Sequence, residues 1–482
     1  MPASRRVRGA ILAVVLLAIA IRLAFLLLFP NLFQFQSTGD IHGSTAYDTY
    51  AVNLLQTGIY GRPAGVADSQ LPPLYSATLA GVYGLFGRSG LSVGLYHTLL
   101  DILSILMLIE IGRRLFKAHP SAIWIGIGGG LFYAVYPYLT FQNLTLNDTA
   151  LFVTLLHAFV LTLIVLRDQP RTDAYTVGVA ALCGLILGLA TLVKALLVPL
   201  AILAAFWFWI VWPLRTVIVR LGLVALVSLL ILLPWIGRAY AIYGHFIPVG
   251  LNSGENVWQG ANDMTLPLMH AGYDVQWSAP PAGSEGIREP FTRNALLMQA
   301  GLDWLKAHPQ KIPDLLLTKF FVHWSIDIAP RENPRDGESF ALDDQGRLVL
   351  LQNSDQPMQD SDVIAAYSDS VLDTVGRPIH MLYFGGLLVL AIAGVILSYR
   401  QWREVSLLWA VQISMMLNYV IFHPSTRYRV PSDPLLFLFS AYTLVWAFHR
   451  WRPQDPPQRL RRTPTIFVPT PPPWIDNDLT SP

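Results

Sequence analysis

Residues 144–167 read LTLNDTALFVTLLHAFVLTLIVLR. From Thr149 to Leu166 every residue except His157 is either apolar or a threonine. This length is close to the ~20 residues that a helix needs to cross the hydrocarbon core of a bilayer. Lipid offers the backbone no hydrogen-bond partners, so such a run is expected to be helical. The run follows the polar pair Asn147-Asp148 and precedes Arg167, so the stretch predicts a membrane-spanning helix with a polar group at each end.

The rest of the chain has the same character. Its 482 residues are 53% hydrophobic and only 13% charged, whereas soluble proteins carry about 25% charged residues. The net charge of +2 gives no reason to expect a nucleic-acid-binding surface. A single cysteine, Cys183, excludes a disulfide framework and a thiolate metal site.

Long apolar runs of this kind recur along the sequence. They predict an all-α polytopic membrane protein with about ten transmembrane helices, because the runs are too long for the strands of a barrel. The predicted helices are residues 9–29, 90–112, 121–139, 149–166, 175–193, 195–213, 219–236, 379–398, 404–422 and 434–449.

Basic residues occupy every second connection between these helices, and such connections face the cytoplasm. The pattern predicts a multi-pass protein of the cell membrane with both termini in the cytoplasm. The outward connections are then residues 30–89, 140–148, around 194, 237–378 and 423–433.

Four regions follow from this topology. In the first outer loop, residues 45–57 are amphipathic at helical spacing and predict an interfacial helix. Residues 72–87 are apolar but short, which is typical of a re-entrant or interfacial piece. The regions are N-terminal helices with the first outer loop 30–89 (1–236), an extracytoplasmic loop region (237–378), C-terminal helices (379–449) and a Pro-rich cytoplasmic tail expected to be disordered (450–482).

Charged side chains collect in the outward connections. The acidic candidates are Asp40, Asp48 and Asp148, and the basic ones are Lys194, Arg427 and Arg429. Carboxylates beside cations suit group transfer from a phosphate-bearing donor. A carboxylate can deprotonate or orient the acceptor, and cations can neutralise charge on the departing phosphate.

Each of these groups has a simpler interpretation. Asp40 and Asp48 lie in a loop, where most charges are solvated. The side chain of Asn147 or Asp148 could cap the following helix by accepting hydrogen bonds from the backbone N–H groups of its first turn. Lys194 could extend to the membrane interface, and the arginines at 427 and 429 could bind lipid headgroups.

Several ionisable residues fall within predicted spans, where they are costly and need partners. We expect Arg22 to pair with Asp101 on a neighbouring helix. His97 lies four residues before Asp101, so a hydrogen-bonded pair is plausible there. Glu110 is expected to form a structural ion pair with Arg113 and Arg114.

An ordered set of motifs resembles a known family. The set includes Tyr47-Asp-Thr-Tyr-Ala-Val-Asn-Leu-Leu-Gln-Thr-Gly-Ile-Tyr60-Gly, Pro72-Pro-Leu-Tyr75, Gly112-Arg-Arg-Leu-Phe116, Leu144-Thr-Leu-Asn-Asp148-Thr, Gly188-Leu-Ala-Thr-Leu-Val-Lys194, Leu233-Pro-Trp-Ile-Gly-Arg238 and Arg427-Tyr-Arg-Val-Pro431. In order and spacing it resembles the polytopic GT-C glycosyltransferases of the protein O-mannosyltransferase and aminoarabinose-transferase type, which are glycosyltransferase family 39-like. The resemblance spans roughly residues 8–449.

The resemblance implies a sugar donor linked to a polyprenyl phosphate in the outer leaflet and an inverting mechanism with an aspartate base. That base would be Asp40 or Asp48, and Asp148 would be a second acidic residue of the site. The donor phosphate would face Lys194, Arg427, Arg429 and Arg238. The substrate pocket would include Tyr47, Tyr428, Asn252 and Asn256.

The resulting hypothesis is transfer of a sugar to an extracytoplasmic acceptor, which could be a lipid, a glycan or a protein. No cofactor is required for this chemistry. The sequence offers no dedicated cluster of metal ligands, so no metal site is predicted, although a divalent metal could assist. The alternatives are a polyprenyl-lipid transporter or flippase and a non-catalytic lipid-binding member of the fold. The enzyme hypothesis requires the acidic and basic residues to meet in one pocket.

Overall fold

The computed structural model describes residues 2–29, 44–284, 286–331, 338–352 and 374–451. Its contacts separate the chain into Met1–Val445 and Trp446–Pro482. The α-helices are α1 (Pro2–Leu28), α2 (Ser44–Thr57), α3 (Leu74–Phe86), α4 (Gly90–Leu115), α5 (Ala122–Ala134), α6 (Pro137–Asn143), α7 (Thr149–Asp168), α8 (Ala174–Thr191), α9 (Leu197–Trp209), α10 (Leu214–Tyr243), α11 (Ser253–Gly260), α12 (Thr265–Ala271), α13 (Pro290–Ala307), α14 (Ile312–His323), α15 (Arg377–Leu397), α16 (Trp402–Ile421), α17 (Thr426–Arg429) and α18 (Asp433–Trp451).

Helices account for nearly all the regular structure, so the predicted all-α class is confirmed. Within the described residues the one sheet is an antiparallel hairpin of β1 (Glu338–Leu342) and β2 (Leu348–Gln352). The hairpin buries Phe340 in a small cluster with Met264 and Leu268. It therefore belongs with the short helices that follow α10, in the region predicted as an outer loop.

Each of the ten predicted segments overlaps a helix, but fewer helices qualify as membrane spans. In the described part of the chain, seven helices are long and apolar enough to cross a membrane. An eighth span results if α5 and α6, which are bent by 63° at their junction, count as one. The predicted span 195–213 is a 13-residue helix, α9, and α18 is not among the seven.

The two expected pieces of the first outer loop are both helical. The amphipathic stretch at 45–57 forms α2. The stretch at 72–87 contains α3, whose 13 residues give a helix about 20 Å long. That is shorter than a bilayer core of about 30 Å, which agrees with a piece that does not span.

Small residues allow neighbouring helices to approach closely. A Cβ atom added to Gly112 of α4 would lie 2.6 Å from the Cα of Gly126 in α5. A Cβ atom added to Gly184 of α8 would lie 2.5 Å from the carbonyl oxygen of Val224 in α10. Close backbone approach of this kind is how helices associate in lipid, where van der Waals packing replaces the hydrophobic effect.

A buried ion pair fastens α1 to the bundle. The Nε of Arg22 lies 2.8 Å from Asp101 Oδ2 on α4, as the sequence predicts. Asp101 Oδ1 also accepts hydrogen bonds from Tyr133 and Asn143. These partners compensate the cost of burying both charges.

The other two predictions within the spans have different outcomes. Glu110 binds both Arg113 and Arg114 at 2.6 Å, so that structural pair is confirmed. His97 uses its two ring nitrogens elsewhere. Nε2 faces the Tyr75 hydroxyl at 3.0 Å, and Nδ1 faces the carbonyl of Asn143 at 2.7 Å. The ring thus joins α4 to α3 and to the end of α6.

Three of the basic connections, those after the predicted fourth, sixth and eighth helices, meet at one end of the bundle. Arg167 donates to the carbonyl of Arg403 at 2.9 Å, and Arg220 donates to the carbonyl of Leu166 at 3.0 Å. These three connections therefore lie together, as the alternation of basic connections predicts. That the basic end faces the cytoplasm stays a prediction.

Candidate active site

Asp148 immediately precedes α7, at the bundle end opposite the basic connections. The neighbouring Asn147 performs the capping that either residue could have provided, because its Oδ1 accepts the backbone N–H of Thr149 at 2.8 Å. The carboxylate of Asp148 forms no capping bond. It is consequently available to side chains from other parts of the fold.

Two such side chains occupy its oxygens. The Nζ of Lys194 lies 2.6 Å from Asp148 Oδ1. The hydroxyl of Tyr47 donates to Oδ2 at 2.9 Å. Only 4% of the Asp148 side chain and 21% of the Lys194 side chain are exposed. The pair is therefore largely shielded from water, and the attraction between its charges is stronger than it would be at a surface.

Three different segments supply this cluster. Tyr47 belongs to α2 of the first outer loop, and Asp148 opens α7. Lys194 follows the end of α8, where its backbone N–H still bonds to Ala190 at 2.8 Å. The chain then turns into α9 and presents the amine to Asp148. Burial raises the pKa of Tyr47, and the Asp148 carboxylate raises it further, so the phenol stays protonated and donates its hydrogen bond.

Arg427 faces the same cluster from the connection between α16 and α18. Its guanidinium lies 5.0 Å from the ring centre of Tyr428. Burial lowers the pKa of Arg427, but attraction by Tyr428, Asp274 and Asp148 outweighs it, and the pKa is raised above its usual value. Arg427 therefore lies within electrostatic range of Asp148 and is fully charged.

Asp274 is a carboxylate of this site that sequence reasoning missed. It is half-buried in the turn after α12 and acts electrostatically on Arg427, Tyr428 and His423. Its side chain also accepts the backbone N–H of Gln276 at 3.1 Å. In the sequence it is one acid in a polar loop of about 140 residues, and no motif distinguishes it.

Tyr428 and Asn256 form the adjoining wall. Tyr428 stacks on Tyr419 with ring centres 4.8 Å apart and meets the edge of His423 at 5.3 Å. His423 Nε2 faces Asn256 Oδ1 at 3.4 Å. Burial lowers the pKa of His423, so the ring is neutral at pH 7. Asn252, the other predicted pocket residue, is exposed one helical turn earlier and lines a small cavity of about 120 Å³ with Gln70 and Arg293.

Asp48 lies in a different environment from Asp148. Its Oδ2 is 2.6 Å from Arg88 Nη2, and its Oδ1 accepts bonds from Tyr83 and from Arg88 Nε, each at 2.9 Å. The bidentate geometry is typical of a structural arginine–carboxylate pair. The structure thus joins α2 to the end of α3 through Asp48 and does not bring Asp48 to the charged cluster around Asp148.

Arg429 has different partners from Arg427. It is fully buried, its Nε lies 3.3 Å from Asp433 Oδ2, and it donates to the carbonyl of Ser325 at 2.6 Å. Asp433 also accepts the hydroxyl of Tyr136 at 2.8 Å. This arrangement anchors the start of α18, and the expectation that Arg429 faces the phosphate stays a prediction.

Arg238 is also occupied elsewhere. Its guanidinium donates to the carbonyls of Asp68 and Tyr60, each at 2.5 Å, and to Ser69 Oγ at 2.7 Å. These bonds hold residues 60–69 against the end of α10. None of these hydrogen-bond partners belongs to the Asp148 cluster, and the expected role of Arg238 at the phosphate stays a prediction.

The remaining predicted site residue, Asp40, falls outside the described residues. Among the residues that are described, no group of three or more His, Cys, Asp or Glu side chains is arranged to hold a metal ion. The cluster that the structure assembles is therefore one acid and one phenol (Asp148 and Tyr47) with the cations Lys194 and Arg427, and Asp274 close by.

Comparison with solved structures identifies the fold. The chain is similar to the oligosaccharyltransferase of Archaeoglobus fulgidus in its apo form, with a TM-score of 0.53 and 11% identity over 92% of this chain and 51% of that one. It is also similar to the same archaeal enzyme, AglB, in complex with an inhibitory peptide and a dolichol-phosphate, with a TM-score of 0.50 and 13% identity over 93% and 51% of the two chains. The chain spans about half the length of these proteins. At such low identity the likeness shows the fold, and that fold is GT-C.

A closer resemblance comes from the sequence family described as dolichyl-phosphate-mannose-protein mannosyltransferase, which matches residues 70–237. The matched segment includes Asp148, Lys194 and the helices α3–α9. The family likeness expected from the sequence is therefore confirmed. No curated protein matches the chain.

Proposed function

We propose that this protein is a membrane glycosyltransferase that moves a sugar from a polyprenyl-phosphate donor to an acceptor outside the cytoplasm. The observation that carries the proposal is the contact of Lys194 and Tyr47 with Asp148, with Arg427 in electrostatic range. These groups are far apart in sequence, yet they meet where three helix ends converge. Two cations beside a buried carboxylate suit a reaction in which a phosphate is the leaving group.

The relatives support this choice of donor. The matching family is named for dolichyl-phosphate-mannose, and one of the similar solved structures contains dolichol-phosphate. A lipid monophosphate donor needs no nucleotide site. Membrane helices around the cluster would give the polyprenyl chain an apolar path to the phosphate position.

In this proposal Lys194 and Arg427 hold the phosphate. Lys194 acts as a point charge, and Arg427 presents a planar fork that matches phosphate oxygens. Asp148 positions Lys194 and Tyr47, each of which binds one of its carboxylate oxygens. Asp48, Arg429 and Arg238 have structural roles.

The reaction breaks the bond between the sugar C1 and the phosphate oxygen and forms a bond from C1 to an acceptor hydroxyl oxygen. The acceptor proton moves to a carboxylate, and the phosphate leaves on its polyprenyl chain with its new charge facing Lys194 and Arg427. Attack from the opposite face inverts C1. Asp40 and Asp274 are the candidates for the base, and the acceptor is a lipid, a glycan or a protein. A metal ion is not part of this scheme.

The test uses the full chain in lipid nanodiscs with a radiolabelled polyprenyl-phosphate mannose. Release of labelled sugar to water or to acceptor is measured for the wild type and for Asp40→Asn, Asp274→Asn, Asp148→Asn and Arg427→Gln. We expect loss of at least 100-fold for the residue that acts as base and for Arg427→Gln. Asp303→Asn, which changes an exposed side chain of α13, is the matched control and keeps wild-type release.

Sugar release that is equal in all four variants and the wild type would overturn this assignment of the site. Movement of intact labelled lipid between leaflets, with no cleavage of the sugar–phosphate bond, would identify a flippase. Tight binding of the donor with neither cleavage nor movement would identify a non-catalytic lipid-binding protein.

A further inference from the structure

A second cavity lies between α11, α13, α14 and the last residue of α16. Its volume is about 240 Å³, and most of its lining is aliphatic, with Leu302, Leu305, Leu315, Leu316 and Ile421 among the contributors. Pockets that enclose a whole small ligand are usually about 300–1,000 Å³. This cavity is therefore sized for one part of a longer molecule.

Lys319 is the one charged side chain among the described residues that line this cavity. It is 1% exposed, and its Nζ donates to the carbonyl of Ile421 at 3.2 Å. No carboxylate in the described ranges forms an ion pair with it, although an ammonium group has three donors. Burial lowers the pKa of Lys319 to about 7. A buried amine of this kind is costly unless an anion compensates it.

The cavity opens toward a surface suited to lipid. Ile421 ends a helix that is long and apolar enough to cross the membrane, so the cavity lies at the level where that span meets the interface. Along α14, Leu316, Leu317, Phe320 and Phe321 are 41%, 58%, 39% and 68% exposed. A contiguous apolar face next to a membrane span is typical of a helix that rests in the interface.

We propose that this cavity binds a single-chain amphiphile with one negative charge, its anionic group paired with Lys319 and its aliphatic chain lying along Leu302 and Leu316 toward the bilayer. One ammonium in an apolar cavity matches one negative charge, since a second would remain uncompensated. The aliphatic lining matches a hydrocarbon chain, and the volume accepts a segment of it. None of the residues that line this cavity belongs to the Asp148 cluster, and the proposal does not depend on the proposed glycosyl transfer.

The probe is a palmitate analogue with a diazirine in its chain, applied to the full protein in phosphatidylcholine nanodiscs. Photolabelling is compared for the wild type, Lys319→Met, which removes the charge but keeps an apolar stem, and Leu316→Trp, which fills the cavity from its rim. Leu317→Trp is the matched control, because Leu317 is on the same helix but does not line the cavity. A second arm uses the same chain ending in a hydroxyl, and a third adds excess acetate as competitor.

We expect labelled peptides from α13 and α14, a drop of at least tenfold in Lys319→Met and Leu316→Trp, and no change in Leu317→Trp. The neutral alcohol should label weakly, and acetate should not compete. Equal labelling of all variants, or equal labelling by the alcohol, would overturn the proposal. Competition by acetate would overturn the proposal that the cavity binds an amphiphile and would indicate a site for small free anions.

Discussion

The Nζ of Lys194 lies 2.6 Å from the Oδ1 of Asp148, although one residue follows α8 and the other precedes α7. The two helices pack side by side, so the end of one comes next to the start of the other. The contact brings a buried negative charge to the place where three predicted outward connections meet.

Breaking the pair should destabilise the protein. The losses from the two single substitutions should not add up fully in the double variant. Asp148→Asn leaves Lys194 partly buried without its counter-charge, and removing one member of a buried pair typically costs about 3–5 kcal/mol. The cost should be lower here, because 21% of the Lys194 side chain is exposed. The melting temperature in detergent should fall for Asp148→Asn and for Lys194→Met, and should fall less than the sum for the double variant. Additive losses would contradict the coupling.

Arg427 should depend on the shape of its side chain as well as on its charge. Arg427→Lys keeps the positive charge but loses the planar fork that binds two phosphate oxygens. We expect sugar release to fall about tenfold in Arg427→Lys and at least 100-fold in Arg427→Gln. Initial rates at saturating donor measure this. Equal rates in the two variants would mean that the fork plays no part.

Asp48 should affect stability and leave turnover unchanged. Its carboxylate binds Arg88 and Tyr83 and not the groups around Asp148. Asp48→Asn should lower the free energy of unfolding by about 1–3 kcal/mol, because buried donors lose a charged partner. The rate per folded molecule should match the wild type. A folded Asp48→Asn protein with less than a tenth of the wild-type rate would return Asp48 to the list of candidate bases.

Lys319 should make stability rise with pH. Its pKa is lowered from 10.5 in the unfolded chain to about 7 in the folded protein, so the unfolded chain binds more protons between these values and stability increases across that window. Lys319→Met removes this dependence. The variant should melt at a higher temperature than the wild type at pH 7, and the difference should shrink by pH 10. A constant difference across this range would show that Lys319 is charged in the folded protein.

Much of the fold could be predicted because the bilayer imposes a simple rule on composition. Ten apolar runs predict ten helices, and each run overlaps at least one, since the backbone in lipid has few alternatives to helix. The rule says less about length. The run at 195–213 contains a helix of only 13 residues, because the chain is in turns before Leu197 and after Trp209. The pairing of Arg22 with Asp101 was also predictable, because two opposite charges within spans have few other partners.

The candidate site could be predicted only in part. Asp148, Lys194, Tyr47 and Arg427 are unusual residues in outward connections, and the structure brings them together. Asp48 and Arg429 have the same character in sequence, but each has a nearer partner, Arg88 and Asp433, that periodicity does not reveal. Asp274 carries no sequence signal, and its position depends on how the loop after α12 folds back on the helix ends.

The sequence by itself determined the class of this protein. Apolar runs long enough for a bilayer, interrupted by alternating basic connections, specify a multi-pass helical bundle whatever its packing. Only the tertiary structure decided which charges share a pocket. Ionic contacts act over a few ångströms, and whether two side chains come that close depends on helix packing and loop paths that hydrophobicity does not encode. The fold thus assigns Lys194 to Asp148 and Arg88 to Asp48.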